Sequence, residues 1–277
     1  MAEARVLRVA LALVALGAAL PAAATDIRVV RDVAYGPDAR QRFDVYAPEG
    51  ARGAPVIFMV HGGGWAIGDK ANRGVVHNKT ARWVPRGFVF VSANYRMLPE
   101  ADPLEQARDV ARALAAAQAR AATWGGDPAR FVLMGHSAGA HLLALIASAP
   151  KIALDLGARP WLGTVELDSA ALDVERIMRG RHLRLYDRAF GSDPAYWAKA
   201  SPLARLAAPG APFLAVCSTR RADSCPAARD YAAKVQALGT RASVLEENLS
   251  HREINEQLGE DSDYTRAVEA FLDGLTR

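Results

Sequence analysis

Five residues, Gly135-His136-Ser137-Ala138-Gly139, carry the pattern G-x-S-x-G directly after the apolar run Phe131-Val132-Leu133-Met134, and they open a helical stretch. A serine at such a strand-to-helix turn is held in strained backbone geometry with its hydroxyl exposed, and the flanking glycines let strand and helix approach closely. Ser137 is therefore the candidate nucleophile. A serine that attacks a carbonyl also needs N–H donors where the tetrahedral oxyanion develops. His61-Gly62-Gly63-Gly64-Trp65 supplies a glycine-rich turn immediately after another apolar run, Val56 to Val60. Gly63 and Gly64, with Ala138 next to the nucleophile, are the candidate oxyanion donors. The two motifs together point to acyl transfer through a covalent serine intermediate.

These turns need a frame. Ile27 to Val30 and Phe43 to Tyr46 read as opening strands, antiparallel because little separates them. Val56 to Val60, Phe88 to Val91, Phe131 to Met134, Val165 to Leu167, Phe213 to Val216 and Ala242 to Leu245 follow as short apolar runs, which suit strands buried on both faces. Helical stretches alternate with them at Leu104–Ala122, Ser137–Ser148, Pro226–Leu238 and Asp263–Leu275. Such alternation predicts an α/β fold with a doubly wound, mostly parallel sheet. Residues 176–209, rich in Gly, Pro and aromatic side chains, break the alternation and read as a small cap insertion.

HGGGW, then Tyr95-Arg96, then Trp124-Gly125-Gly126-Asp127-Pro128 leading into GHSAGAH, resembles the α/β-hydrolase superfamily, in particular bacterial esterases of the hormone-sensitive-lipase-like and BD-FAE-like group. The resemblance runs over roughly residues 40 to 255. It implies a Ser-Asp-His triad in that chain order, no cofactor, and hydrolysis of carboxylic esters, with formamides as the alternative through the arylformamidase branch. A catalytically silent binding module on the same fold is a further alternative, disfavoured by the complete serine, histidine and oxyanion set. The base should follow the last strand, where His251 is the only histidine beyond position 182. His61, His136, His141, His77 and His182 read as motif, helix or loop residues.

In the family pattern the acid follows the strand before last. Asp223 is then the candidate, ahead of Asp230 in the next helix and Asp173 after an earlier strand. The segment Cys217-Ser218-Thr219-Arg220-Arg221-Ala222-Asp223 lacks the glycine found there in many relatives. Trp65 is a candidate pocket wall. Arg220 and Arg221 are either anion-attracting or simply solvated.

Composition sets outer limits. Of 277 residues, 51% are hydrophobic and 23% charged, as in a globular domain. The net charge of +4 comes from 34 basic and 30 acidic residues with no basic block, which argues against a nucleic-acid partner. Arg5 and Arg8, an apolar run from Val9 to Leu20, and Ala22-Ala23-Ala24 form a signal-peptide pattern over residues 1–24. The run is too short for the roughly 20 residues of a membrane helix. The expected mature domain is 25–277, periplasmic or secreted. Cys217 and Cys225 then read as a disulfide, with two buried thiols as the alternative. Such a bridge would be worth roughly 2.5 kcal/mol. No His or further Cys stands near the pair to complete a metal site. The expected partner is a small ester, and oligomeric state has no sequence signature here.

Overall fold

The computed structural model describes residues 26–277, so the expected signal segment 1–24 and its cleavage point lie outside the described residues. Eight strands, β1 (Ile27–Ala34), β2 (Arg42–Pro48), β3 (Ala54–Val60), β4 (Val89–Ala93), β5 (Gly126–His136), β6 (Gly163–Leu167), β7 (Phe213–Ser218) and β8 (Ala242–Glu247), form one sheet in the order β1-β2-β4-β3-β5-β6-β7-β8. β1 pairs with β2 and β2 with β4 in antiparallel fashion; every other pair is parallel. The helices are α1 (Arg73–Trp83), α2 (Pro103–Arg120), α3 (Ala138–Ser148), α4 (Lys151–Leu154), α5 (Val174–Arg179), α6 (Arg184–Phe190), α7 (Pro194–Ala200), α8 (Pro202–Arg205), α9 (Ser224–Ala237), α10 (His251–Glu256) and α11 (Asp263–Thr276).

Period-two alternation in the central strands builds the two sides of the core. Val56, Phe58 and Val60 of β3, with Phe131 and Leu133 of β5, face the layer of α2 and α3. Ile57 and Met59, with Val132 and Met134, face the opposite layer, where Trp83 of α1 and Val268 and Leu272 of α11 lie. Both faces are covered, which is why these strands read as unbroken apolar runs. β1 at the edge has most of its residues exposed.

Helix starts follow local chemistry. Asp102 caps α2 by accepting from the N–H groups of Leu104 and Glu105, and Pro103 occupies the first turn, where no N–H is needed. α9 begins at Ser224, two residues before the expected Pro226, and Gly239 with φ 84° follows its end. α1 has no counterpart among the sequence-predicted helices: its composition, RGVVHNKTARW, gives no continuous apolar stripe. Residues 176–209 fold mainly as the short helices α5 to α8 between β6 and β7.

One buried polar chain ties the glycine-rich turn after β3, helix α3 and that insertion together. The Trp65 indole N–H donates to His141 Nδ1 at 3.1 Å, and His141 Nε2 lies 2.8 Å from the carbonyl of Ala200. An acceptor at Nδ1 and a donor at Nε2 require the neutral ring. Burial pushes its pKa down to about 4, only partly offset by the Ala200 carbonyl. An unfolded histidine binds a proton near pH 6.5, whereas the folded His141 refuses it until about pH 4. Stability from this group is therefore present above pH 6.5 and lost as pH falls toward 4. The loss between pH 7 and pH 5 should be on the order of 2 kcal/mol for this residue alone. Urea unfolding at the two pH values should show His141→Gln losing less stability on acidification than the wild type; equal losses would refute this assignment.

Candidate active site

Ser137 sits between β5 and α3 with φ 56°, the strained turn that the pentapeptide predicts. Its N–H donates to the Leu167 carbonyl at 2.9 Å, so the turn is pinned to the end of β6. Close approach requires the flanking glycines: a Cβ on Gly139 would come within 2.4 Å of the carbonyl oxygens of Val60 and His61. The hydroxyl lies 2.9 Å from His251 Nε2.

His251 opens α10. Ser250 caps that helix through the Glu253 N–H, and the Glu253 carboxylate accepts from the Ser250 N–H in return. The backbone carrying the imidazole is thereby fixed at its first turn. His136, beside the serine, lies with Nε2 2.9 Å from the His251 carbonyl, and the two rings are 4.5 Å apart. Burial, helped by the neighbouring His251 ring, lowers the His136 pKa to about 3, so this ring stays neutral and donates from Nε2.

The carboxylate on His251 Nδ1 belongs to Asp168, at 2.6 Å. Here the sequence expectation is corrected. Asp223 lies at the start of α9, half exposed, and its carboxylate meets Arg221 Nη2 at 3.2 Å instead of the imidazole. The reason is the sheet order. β6 lies directly beside β5, and Asp168, one residue past β6, points its carboxylate at the gap between the serine turn and α10. The loop after β7 contributes donors to that carboxylate rather than an acid. Ser218 N–H reaches Oδ1 at 2.7 Å, the Ser224 hydroxyl bonds Oδ1 as well, and Arg221 Nη1 reaches Oδ2 at 2.9 Å. Burial alone would raise the Asp168 pKa; His251, Ser224, Arg221 and the Ser218 N–H outweigh it and hold the group far below the usual carboxylate range. Glu166, two residues earlier and on β6 itself, makes the contrast. Also buried, it accepts from the Ser169 N–H but has no side-chain cation on it, and desolvation pushes its pKa well up.

Asp168 was legible in one respect: it is an acid at the C-terminal end of a predicted strand, where groups of open α/β sheets meet ligands. Its φ of 56° shares the left-handed geometry of Ser137.

The sequence-predicted donors line the same cleft as Ser137, together with Asp168 and His251. Gly63 has φ 122° and Gly64 φ 58°, conformations that favour glycine, and a Cβ at Gly63 would strike the Ile67 carbonyl at 1.9 Å. Among the described residues no protein acceptor lies on the N–H groups of Gly63 and Gly64. Trp65 is 3% exposed and packed at 4.9 Å on Phe190 and 5.9 Å on Tyr186, so it seats α6 while lining the cleft. Arg220 is not free either; it binds Asn248 and Glu253, bracing the approach to α10. Cys217 and Cys225 stand with their sulfurs 2.11 Å apart, closing the loop that carries Ser218, Arg221 and Ser224.

The cleft encloses about 1220 Å³. One lip is apolar, with Ile67 and Leu183 largely exposed and Leu185 and Tyr186 behind them. The far end, between α1 and α10, is polar. No group of three or more His, Cys, Asp or Glu side chains suited to a metal ion gathers among the described residues. No helix among them is long and apolar enough to cross a membrane.

This geometry has known counterparts. The BD-FAE family model matches residues 43–158, the stretch from β2 through the serine turn and α3. Esterase LipQ of Mycobacterium tuberculosis is 33% identical over 197 residues, covering 66% of this chain and 46% of that protein. A probable isoprenylcysteine alpha-carbonyl methylesterase of Oryza sativa subsp. japonica is 36% identical over 118 residues, 42% of this chain and 27% of the relative. The chain thus spans less than half the length of these two curated relatives. Among solved structures, a truncated carbohydrate esterase from gut microbiota superposes with a TM-score of 0.76 at 17% identity, over 92% of this chain and 99% of that one. Esterase B from Lactobacillus rhamnosis gives 0.72 at 18% identity, over 91% and 86%. Sheet order, serine turn and the solved structures give the chain the α/β-hydrolase fold, and over residues 43–158 it is similar to the BD-FAE family.

Proposed function

We propose that the protein is a serine carboxylesterase whose triad is Ser137, His251 and Asp168. The observation that carries this reading is the unbroken hydrogen-bond chain from serine hydroxyl to imidazole to buried carboxylate, at 2.9 and 2.6 Å. Within it, His251 Nε2 takes the hydroxyl proton as Ser137 Oγ attacks the acyl carbon. Asp168 holds the Nδ1–H tautomer and stabilises the imidazolium that forms. The N–H groups of Gly63, Gly64 and Ala138 receive the oxyanion. Collapse of the tetrahedral intermediate expels the alcohol, which takes its proton from Nε2. Water, activated by the same imidazole, then hydrolyses the acyl-enzyme.

The substrate is a small carboxylic ester with a hydrophobic part, in keeping with the apolar lip at Ile67, Leu183 and Leu185. A p-nitrophenyl ester series of increasing acyl length, run beside N-formylkynurenine, tests this; faster turnover of the formamide would replace the esterase reading by an amidase. Ser137→Ala and Asp168→Asn should each lower kcat by about 10³-fold or more, because one removes the nucleophile and the other frees the wrong tautomer. Asp223→Asn should stay within about tenfold of wild type, since its carboxylate does not touch the imidazole. A reversal of that order would restore Asp223 as the acid.

Export belongs to the same proposal. It rests on the signal pattern of residues 1–24 and on Cys217 and Cys225, the two cysteines of the sequence, which read as a pair bridged in an oxidising compartment. Protein recovered from the periplasm or medium should begin at Thr25 and show no alkylatable thiol under denaturing conditions. Recovery with an intact leader, or with two reactive thiols, would overturn this part.

A further inference from the structure

Oδ1 of Asp168 is fixed by the Ser218 N–H and the Ser224 hydroxyl, but two bonds to one oxygen leave the carboxylate free to pivot about it. Oδ2 is the atom that must face the imidazole, and a second donor reaches it. Arg221 Nη1 lies 2.9 Å from Oδ2 and 3.1 Å from the Asp168 main-chain carbonyl, and it stands 3.0 Å from His251 Nδ1. Its other nitrogen, Nη2, is tethered by Asp223. The guanidinium is thus wedged against the acid–imidazole pair with 24% of its side chain exposed, beside a carboxylate that is fully buried.

We propose that Arg221 is a positioning residue of the triad: it locks Oδ2 of Asp168 toward His251 and offsets the charge of the buried carboxylate. The inference rests on the esterase reading above. A planar guanidinium can grip a side-chain oxygen and the backbone carbonyl of one residue at once, which fixes the carboxylate plane as a point charge cannot. The grip has an electrostatic consequence. When His251 accepts the serine proton, two cations share one carboxylate, so Arg221 opposes the imidazolium while it orders the acid.

The other charged or titratable groups around the ring do not take over this role. His136 on the elbow is neutral, and Lys79 of α1 is turned to the carbonyls of Asn255 and Gly74. Glu166 lies below Asp168 on β6 and accepts from the Ser169 N–H, while Glu253 closes its own helix cap and meets Arg220. Arg252 pairs with Glu256.

Arg221→Gln and Arg221→Lys separate positioning from simple structural support. Arg221→Gln should lower kcat by about tenfold or more, because Asp168 loses its second anchor on Oδ2. The acidic limb of its kcat/KM profile should move to higher pH, since the cation that opposed the imidazolium is gone. Arg221→Lys keeps the charge but not the fork, so its limb should stay near the wild-type position while kcat falls by less than in the glutamine variant. Thermal unfolding of all three proteins shows whether folding is preserved. Unchanged kcat in Arg221→Gln, or a lowered kcat with an unmoved limb in a folded variant, overturns the inference. Should Arg221→Gln fail to fold, the lysine variant decides alone: a limb moved away from wild type, or unaltered kcat, overturns it. Wild-type protein and Asp168→Asn keep the failures apart. A wild type inert toward esters sinks the esterase reading and this inference with it, whereas an active wild type, a dead Asp168→Asn and a normal Arg221→Gln sink only the role of Arg221.

Discussion

A fully buried aspartate carboxylate at the end of β6 governs the arrangement of everything around it. Four donors converge on Asp168, from Ser218, Ser224, Arg221 and His251, and three of them belong to the nine-residue loop from Cys217 to Cys225. An ionised carboxylate stripped of water costs several kcal/mol unless its lone pairs are satisfied. Satisfying them dictates where the loop after β7 runs and which face α10 presents. It also dictates where the imidazole stands when it meets Ser137. The comparison with Glu166 shows that the strand does not do this by itself: two acids, one on β6 and one just past its end, are both buried and have opposite protonation tendencies set by the donors each can find.

Local signals were enough to single out the serine turn and the glycine turn, because each is written in consecutive residues. Ser137 needs an apolar run before it, a helix after it and glycines at either side, and all lie within one short segment of chain. His251 was accessible by another route, as the only histidine beyond the last strand. The acid was not. Asp168 immediately follows Val165-Glu166-Leu167, yet nothing in those residues distinguishes an acid that reaches the imidazole from one that caps a turn. The deciding facts are that β6 lies beside β5 and that the β7 loop folds back as a donor set, both consequences of tertiary packing. Arg221 was hidden for the same reason: two adjacent arginines in a loop look solvated until Asp168 and Asn248 are seen opposite them.

Much of the sheet could be read for the reason its strands are buried on both sides. Apolar runs in β3, β4, β5 and β7 have no solvent face to encode, so they stand out from the helices between them. α1 stayed invisible because its burial is patchy, with Val75, Lys79 and Trp83 inside and charged residues among them. What holds it against the body includes Lys79 reaching the carbonyls of Gly74 and Asn255, contacts that no periodicity announces. Helix ends, by contrast, followed their caps, with Asp102 and Ser262 each at a start.

The buried chain from Trp65 through His141 to Ala200 gives the glycine turn a support distinct from that of Asp168. Trp65 is the residue after Gly64, so whatever fixes its indole also fixes the direction in which the preceding N–H groups point. That indole is held by a neutral histidine on the nucleophile's own helix and by Phe190 and Tyr186 of the insertion. The insertion is therefore coupled to the C-terminal end of the sheet through the glycine turn, while the Cys217–Cys225 loop is coupled to it through Asp168. A change in the helices of the insertion acts on the Gly63–Gly64 turn; a change in the Cys217–Cys225 loop acts on Asp168 and, through it, on His251. Ser137 stands where the two supports meet, pinned by its own N–H to the Leu167 carbonyl, one residue before Asp168.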